Sequence, residues 1–167
     1  MIKSVALSLF LSALAFAEIR FDPVVLDAIR YNECYIIKSE CHPFTIRLNT
    51  KQGQNKAHAL GYDVNNGLIS FQDAPSAVNA AQQIIGSGVA NMDLGAYQIN
   101  YYYHPADDLD IYFDEKRARR FASRILAGLT KAHGYSWRTL GRYHSATADL
   151  NRAYYLKLHQ YIYGYKP

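Results

Sequence analysis

The sequence predicts a mainly α fold of the α+β kind, one helical domain carrying a small strand-and-loop insert. Three observations predict it. Apolar residues recur at helical spacing in five segments, each bounded by capping residues, proline or glycine. One stretch, 44–71, instead alternates apolar with polar residues and is broken by Gly and Asn. The residues after an apolar leader number about 150, enough for one domain with its own core.

The leader comes first. Lys3, an apolar run from Val5 to Leu14, and Ala15-Phe16-Ala17 before Glu18 have the layout of a secretory signal peptide over 1–17, leaving 18–167 as the domain. Its apolar run is about ten residues, where a membrane-spanning helix needs roughly 20. No later stretch is apolar enough to span, and no cysteine follows the run where a lipid-anchored lipoprotein carries one. The expected mature chain is a monomer free in the periplasm or outside the cell, with no membrane association after cleavage.

From Pro23 the residues Val24, Val25, Ala28, Ile29, Tyr35, Ile36 and Ile37 keep helical spacing, and Asp22 before Pro23 gives a cap followed by proline. A first helix is expected over 23–40, stopping near His42-Pro43 because proline disfavours helical geometry in the residue before it. Glu40 then falls at its C-terminus, where the negative end of the helix dipole disfavours a carboxylate charge. Residues 44–71 read as short strands and loops, with a small hairpin turning at Asn66-Gly67. Asp73 caps a helix over 75–86, with Pro75 in its first turn and Ala77, Ala80, Ala81, Ile84 and Ile85 along one stripe. Asn91 to His104 is expected as an irregular turn leading into a short helical piece, and Asp107 to Asp110 as a loop. Asp114 caps a long helix to His133 with Gly134 beyond it, and two more helices are expected near 136–144 and 147–163.

Cys34 and Cys41 are the only cysteines, and an oxidising compartment would allow them to pair. On one continuous helix their Cα atoms lie about 10 Å apart, beyond the roughly 7 Å a bridge spans, so a disulfide requires the helix to break between them. The balance of 18 basic and 14 acidic residues suits an acidic polymer without naming one. Basic residues do not gather into a nucleic-acid footprint, since the densest cluster, Glu115 to Arg120, reads as a solvated helix face. The chain holds 15 tyrosines, and a ring for stacking beside a hydroxyl for hydrogen bonding is what sugar rings require. Six histidines form no His-Glu-x-x-His or clustered Cys/His spacing, so neither a metal nor a cofactor is expected.

Four short motifs carry the chemistry: Glu40-Cys41-His42-Pro43-Phe44-Thr45-Ile46-Arg47; Asp93 two residues before Gly95-Ala96-Tyr97-Gln98-Ile99-Asn100; Tyr143-His144-Ser145; and Asn151-Arg152-Ala153-Tyr154. In this order and spacing, over residues 22–163, the chain resembles the soluble lytic transglycosylases. It is most similar to the small, signal-bearing members that accompany secretion, conjugation and pilus machines. The resemblance implies a lysozyme-like fold and cleavage of the MurNAc-GlcNAc β-1,4 bond of peptidoglycan glycan strands, leaving 1,6-anhydro-MurNAc ends. It implies Glu40 as the acid that then acts as base, with Gln98, Tyr143, Tyr154, Tyr97, Asn100 and His144 as substrate-binding residues. Cys41 stands where the family usually has Ser, Ala96-Tyr97 where it has Leu-Met, and His144 where many members have Asn.

Two other readings stay open. A hydrolytic muramidase needs a second carboxylate, for which Asp93 is the candidate, although a structural role for Asp93 in capping the turn before Gly95 is preferred. A weakly catalytic wall-binding accessory of a secretion or motility complex would account for the departures at Cys41 and Tyr97. A Cys41 nucleophile with His42 or His144 as base is disfavoured, because the resemblance already accounts for that segment.

Overall fold

The computed structural model describes residues 21–35 and 42–164. The expected leader, the continuation of the first helix to residue 40, and Glu40 itself lie outside the described residues. What is described is mainly α with a small four-stranded antiparallel sheet, in the order β2-β1-β3-β4.

Helix α1 (Pro23–Tyr35) opens with the Val24 amide donating to Asp22 Oδ1 at 2.9 Å, and it buries Val25, Leu26, Ala28 and Ile29. Cys34 is buried and disulfide-bonded, and Cys41 is the only other cysteine in the chain. A bridge from Cys34 overturns the expectation that kept the two cysteines apart on one unbroken helix, since that spacing is too long for a disulfide.

Strand β1 (Thr45–Leu48) pairs on one side with β2 (Leu68–Ser70) and on the other with β3 (Met92–Leu94), which in turn pairs with β4 (Ile99–Asn100). The expected turn at Asn66-Gly67 forms: both residues have positive φ (50° and 81°), and Asn65 and Leu68 exchange backbone hydrogen bonds of 2.8 and 2.9 Å. Between β1 and that turn lies a helix not expected from the pattern, α2 (Lys51–Ala59), capped by Thr50 accepting from Gly53 N at 3.0 Å. Its only buried residues are Gly53 and Ala57, so it has no aliphatic stripe to betray it. A Cβ at Gly53 would sit 3.1 Å from both Thr50 Oγ1 and Val89 Cγ1, so the glycine marks close packing of the helix against its cap and Val89.

Residues 91–104 are a correction. The irregular turn is there, with positive φ at Gly95 and Gln98, but it joins β3 and β4 in a hairpin instead of leading into a helical piece, and strands of three and two residues are too short to show a period. The expected loop at Asp107–Asp110 runs into a one-turn helix, α4 (Asp110–Phe113), which buries Tyr112 and Phe113. Helix α3 (Ala74–Gly86) is capped by Asp73, α5 (Glu115–His133) by Asp114, and α6 (Trp137–Gly141) by Ser136, each side chain accepting a backbone amide as the sequence pattern requires. Helix α7 (Ala148–Tyr163) ends at Gly164 in the left-handed region.

The helical layer is built by α1 against α5 and α7, with α6 packed on α5 and α7, while α2 and α3 pack on β1. Arg119 of α5 ties the layer together: it pairs with Asp27, donates to Pro23 O at 2.9 Å, and reaches the Tyr97 hydroxyl at 3.4 Å. Among the described residues no helix is long and apolar enough to cross a membrane.

Candidate functional site

Sheet and helical layer leave a cleft of about 1060 Å³ between them. It is lined by Arg47, Asp93 and Asn100 of the sheet, Glu33 of α1, the 142–146 loop and Lys157 of α7.

Glu33 was missed by the sequence reading. It extends the row Val25, Ile29, one helical turn at a time, and is only 9% exposed. A carboxylate on the core-facing stripe of a helix is costly to bury, so its presence there is a signal for function that the sequence did hold. A second signal was also available: Glu33-Cys34 has the same two residue types as Glu40-Cys41.

The Gly95–Asn100 turn supplies the next group. Gly95 has φ 71°, its amide donates to Thr45 O at 2.9 Å, and a Cβ there would lie 1.9 Å from the Tyr112 carbonyl oxygen, so no other residue fits. Three residues on, Gln98 adopts φ 43° and donates Nε2 to Gly95 O at 2.8 Å. Its Oε1 is buried on the cleft with no partner among the described residues, an acceptor left for a ligand's N–H or O–H. The strain at Gln98 thus aims one amide oxygen.

Asp93 does not cap the turn before Gly95, as the preferred reading had it. It stands directly across β3-β4 from Asn100, accepts from Asn100 Nδ2 at 2.7 Å, and lines the cleft. Burial pushes its carboxyl above the usual range, against the hydrogen bonds from Asn49 and Asn100 and the Arg47 charge. Asn100 is oriented by both ends, because its Oδ1 also accepts from the amides of Tyr102 and Tyr103 at 3.0 and 3.3 Å.

Tyr143 and His144 arrive on the loop between α6 and α7. Asn151, buried at the start of α7, fixes that loop by donating Nδ2 to Arg138 O at 3.0 Å and Ser145 O at 2.9 Å. Gly141 lets the two helices close on each other, since its Cβ would fall 2.7 Å from Asn151 O. The Tyr143 ring reaches the cleft, and its hydroxyl donates to Tyr97 O at 2.9 Å. Tyr154 lies buried behind, its ring stacked on His144 with centroids 4.9 Å apart and planes 6° from parallel. Its hydroxyl has no hydrogen bond of standard geometry, yet Glu33 is close enough to help hold the proton on. Burial first, then the Glu33 charge, pushes both phenols well above the usual tyrosine range, so each remains a neutral donor. His144 Nδ1 lies 3.7 Å from Glu33 Oε1.

Gln98, Asn100, Tyr143 and His144 are therefore brought together on one cleft, with Tyr154 supporting it from behind. Tyr97 is not part of its lining. Its side chain is fully buried towards Arg119, because the turn that points Gln98 outward points residue 97 into the core; only its carbonyl serves the site. The tyrosine-rich composition is likewise divided, with Tyr103 and Tyr143 on the cleft while Tyr97 and Tyr112 fill the core. Comparison with protein-family models, curated proteins and solved structures gives no match for this chain.

Proposed function

We propose that this chain is a peptidoglycan lytic transglycosylase with Glu33 as its acid and base. The observation that carries the reading is a buried carboxylate, Glu33, facing an open cleft beside the unpartnered Gln98 oxygen and the Tyr143-His144 pair. Those neighbours come from two of the four motifs on which the resemblance rests, and a third, Asn151 to Tyr154, supports them from behind. The remaining motif, Glu40-Cys41, has a counterpart of the same residue types in Glu33-Cys34, of which Glu33 lines the cleft.

In the proposed reaction Glu33 donates its proton to the glycosidic oxygen as the C1–O bond of MurNAc breaks, the bonding pair passing to that oxygen. The substrate's own acetamido oxygen stabilises the positive charge at C1, and Gln98 Oε1 accepts the acetamido N–H. The MurNAc 6-hydroxyl then attacks C1 and gives its proton to the ionised Glu33, closing the anhydro ring. Water is not consumed, and one residue completes both proton transfers. The scheme requires no metal or cofactor. The substrate places the enzyme in the cell envelope after export by the 1–17 leader, alongside a secretion, conjugation or pilus machine that must cross the wall.

Digestion of purified sacculi with the mature chain, followed by mass spectrometry, tests the reading. Anhydro ends lost on Glu33→Gln support it; reducing ends alone reject it. A hydrolytic muramidase is the second reading, favoured by the second carboxylate, Asp93, on the same cleft. It predicts reducing ends that Asp93→Asn abolishes. A weakly catalytic wall-binding accessory predicts neither product.

A further inference from the structure

We propose that His144 is a positioning residue that stores and returns the proton Glu33 uses, and so sets the pH range of the reaction. The inference rests on Glu33 being the acid.

Three independent constraints place the imidazole. The His144 amide donates to Gly141 O at 3.2 Å, and Asn151 holds the carbonyl of the next residue, so the backbone is fixed. The ring lies flat on Tyr154, which is itself buried in the helical layer, so the ring plane is fixed. Nδ1 then faces Glu33 Oε1 at 3.7 Å, and a closure of about half an ångström makes a hydrogen bond.

Exposure gives the arrangement its direction. The Glu33 side chain is 10% exposed and His144 is 43% exposed, so the histidine links a carboxylate that a bound glycan would seal from water to the solvent outside. The groups facing it are Glu33 from α1, Asp93 from β3, and Lys157 and the Tyr154 phenol from α7, with Tyr143 beside it in the chain. The nearby Glu33 carboxylate raises its pKa above the ordinary histidine value; burial opposes this, Asp93 reinforces it, and Lys157 opposes it weakly. By contrast His104, on the same cleft, is pushed down by burial, so the two cleft histidines are shifted in opposite directions.

The proton count closes. The resting pair carries one proton, as imidazolium and carboxylate. Transfer across the gap gives neutral imidazole and carboxylic acid; the acid protonates the leaving oxygen; the carboxylate recovers a proton from the 6-hydroxyl and returns it to Nδ1. Loss of the pair's proton at high pH stops the first step.

The test combines a titration with a rate profile on the mature chain. His144 is followed by NMR of histidine-labelled protein in the wild type and in Glu33→Gln. Sacculus solubilisation is followed against pH in the wild type, His144→Asn and His144→Phe, the last keeping a ring on Tyr154 without a proton. The expected result is a His144 titration above the ordinary histidine value that moves down in Glu33→Gln. The wild-type rate falls along that same titration, and both His144 variants lose about tenfold or more in kcat at neutral pH with KM little changed. Lysis by His144→Asn with the wild-type rate and pH profile overturns the proposal and leaves Glu33 as acid. A titration unmoved by Glu33→Gln also overturns it. Wild-type protein that cleaves no glycan at any pH overturns the catalytic reading, and the proton store with it.

Discussion

Replacing Glu33 by Gln keeps the shape of the side chain and removes its proton chemistry, so structure and catalysis should separate. Glu33 is packed in α1 beside buried Ile29, and among the described residues it pairs with a histidine 3.7 Å away that is 43% exposed. Such a half-solvated pair is worth about 0–1 kcal/mol, and for a domain of this size that is a melting shift of roughly 4 °C or less. The rate should respond far more. A positioned general acid contributes about 10²–10⁴, and because this group acts in both proton transfers the loss belongs at the upper end. The assay is release of soluble anhydro-muropeptides from sacculi, quantified by mass spectrometry beside thermal melts of each variant. Glu40→Gln is the matched control and should retain activity within a few-fold. Two outcomes would refute the reasoning: Glu33→Gln that lyses within tenfold of wild type while folded, or Glu40→Gln that is inactive while folded.

Asp93 carries a pH prediction. Its carboxyl is raised by burial, so the stability Asp93 contributes is fully present below the unfolded aspartate value near pH ~3.9 and is lost as pH rises through the folded value. Asp93→Asn should therefore match wild type in urea unfolding at pH 3.5 and exceed it at pH 7, while still yielding anhydro products. Gly95→Ala forces a Cβ to 1.9 Å from a backbone carbonyl oxygen at φ 71°, and should cost about 3 kcal/mol or prevent folding, read by chemical denaturation. Reduction of the Cys34 disulfide should destabilise the chain: a loop closed between positions 34 and 41 is worth roughly 2.5 kcal/mol. Melts with and without a phosphine reductant, with a non-reducing peptide map to identify the linked cysteines, check that value.

The helices that announce themselves in the sequence are those with an aliphatic stripe and a polar cap. Asp73 with Ala77 to Ile84, and Asp114 with Ala118 to Leu126, carry both signals within a single segment, and there expectation and structure agree to within a residue. Helix α2 carries the cap but not the stripe, because it needs only Gly53 and Ala57 to lie against the sheet. The β3-β4 hairpin carries neither, because its strands are held by neighbours distant in sequence: Met92 to Leu94 pair with Leu48 to Ile46, and only then does Asn100 find Asp93. Pairing energy that comes from residues some 45 positions away leaves no local period to read.

The candidate site was legible in the same uneven way. Gln98, Asn100, Tyr143 and His144 were identified from short motifs and do share a cleft, since Gly95 or Gly141 fixes the turns that carry Gln98, Tyr143 and His144, and β4 carries Asn100. The choice between two Glu-Cys pairs was not made by motif, because the pairs are identical in type. Helical phase is what favours Glu33 as the proposed acid. With Val25 and Ile29 facing the core, position 33 repeats that face one turn later, and a carboxylate held there is retained against its desolvation cost. A helix that tolerates Glu33 on its buried stripe while leaving Tyr31 46% exposed inverts the ordinary placement of the two residue types. Stability alone would select the reverse, so the inversion is the strongest physical argument that position 33 has been kept for chemistry.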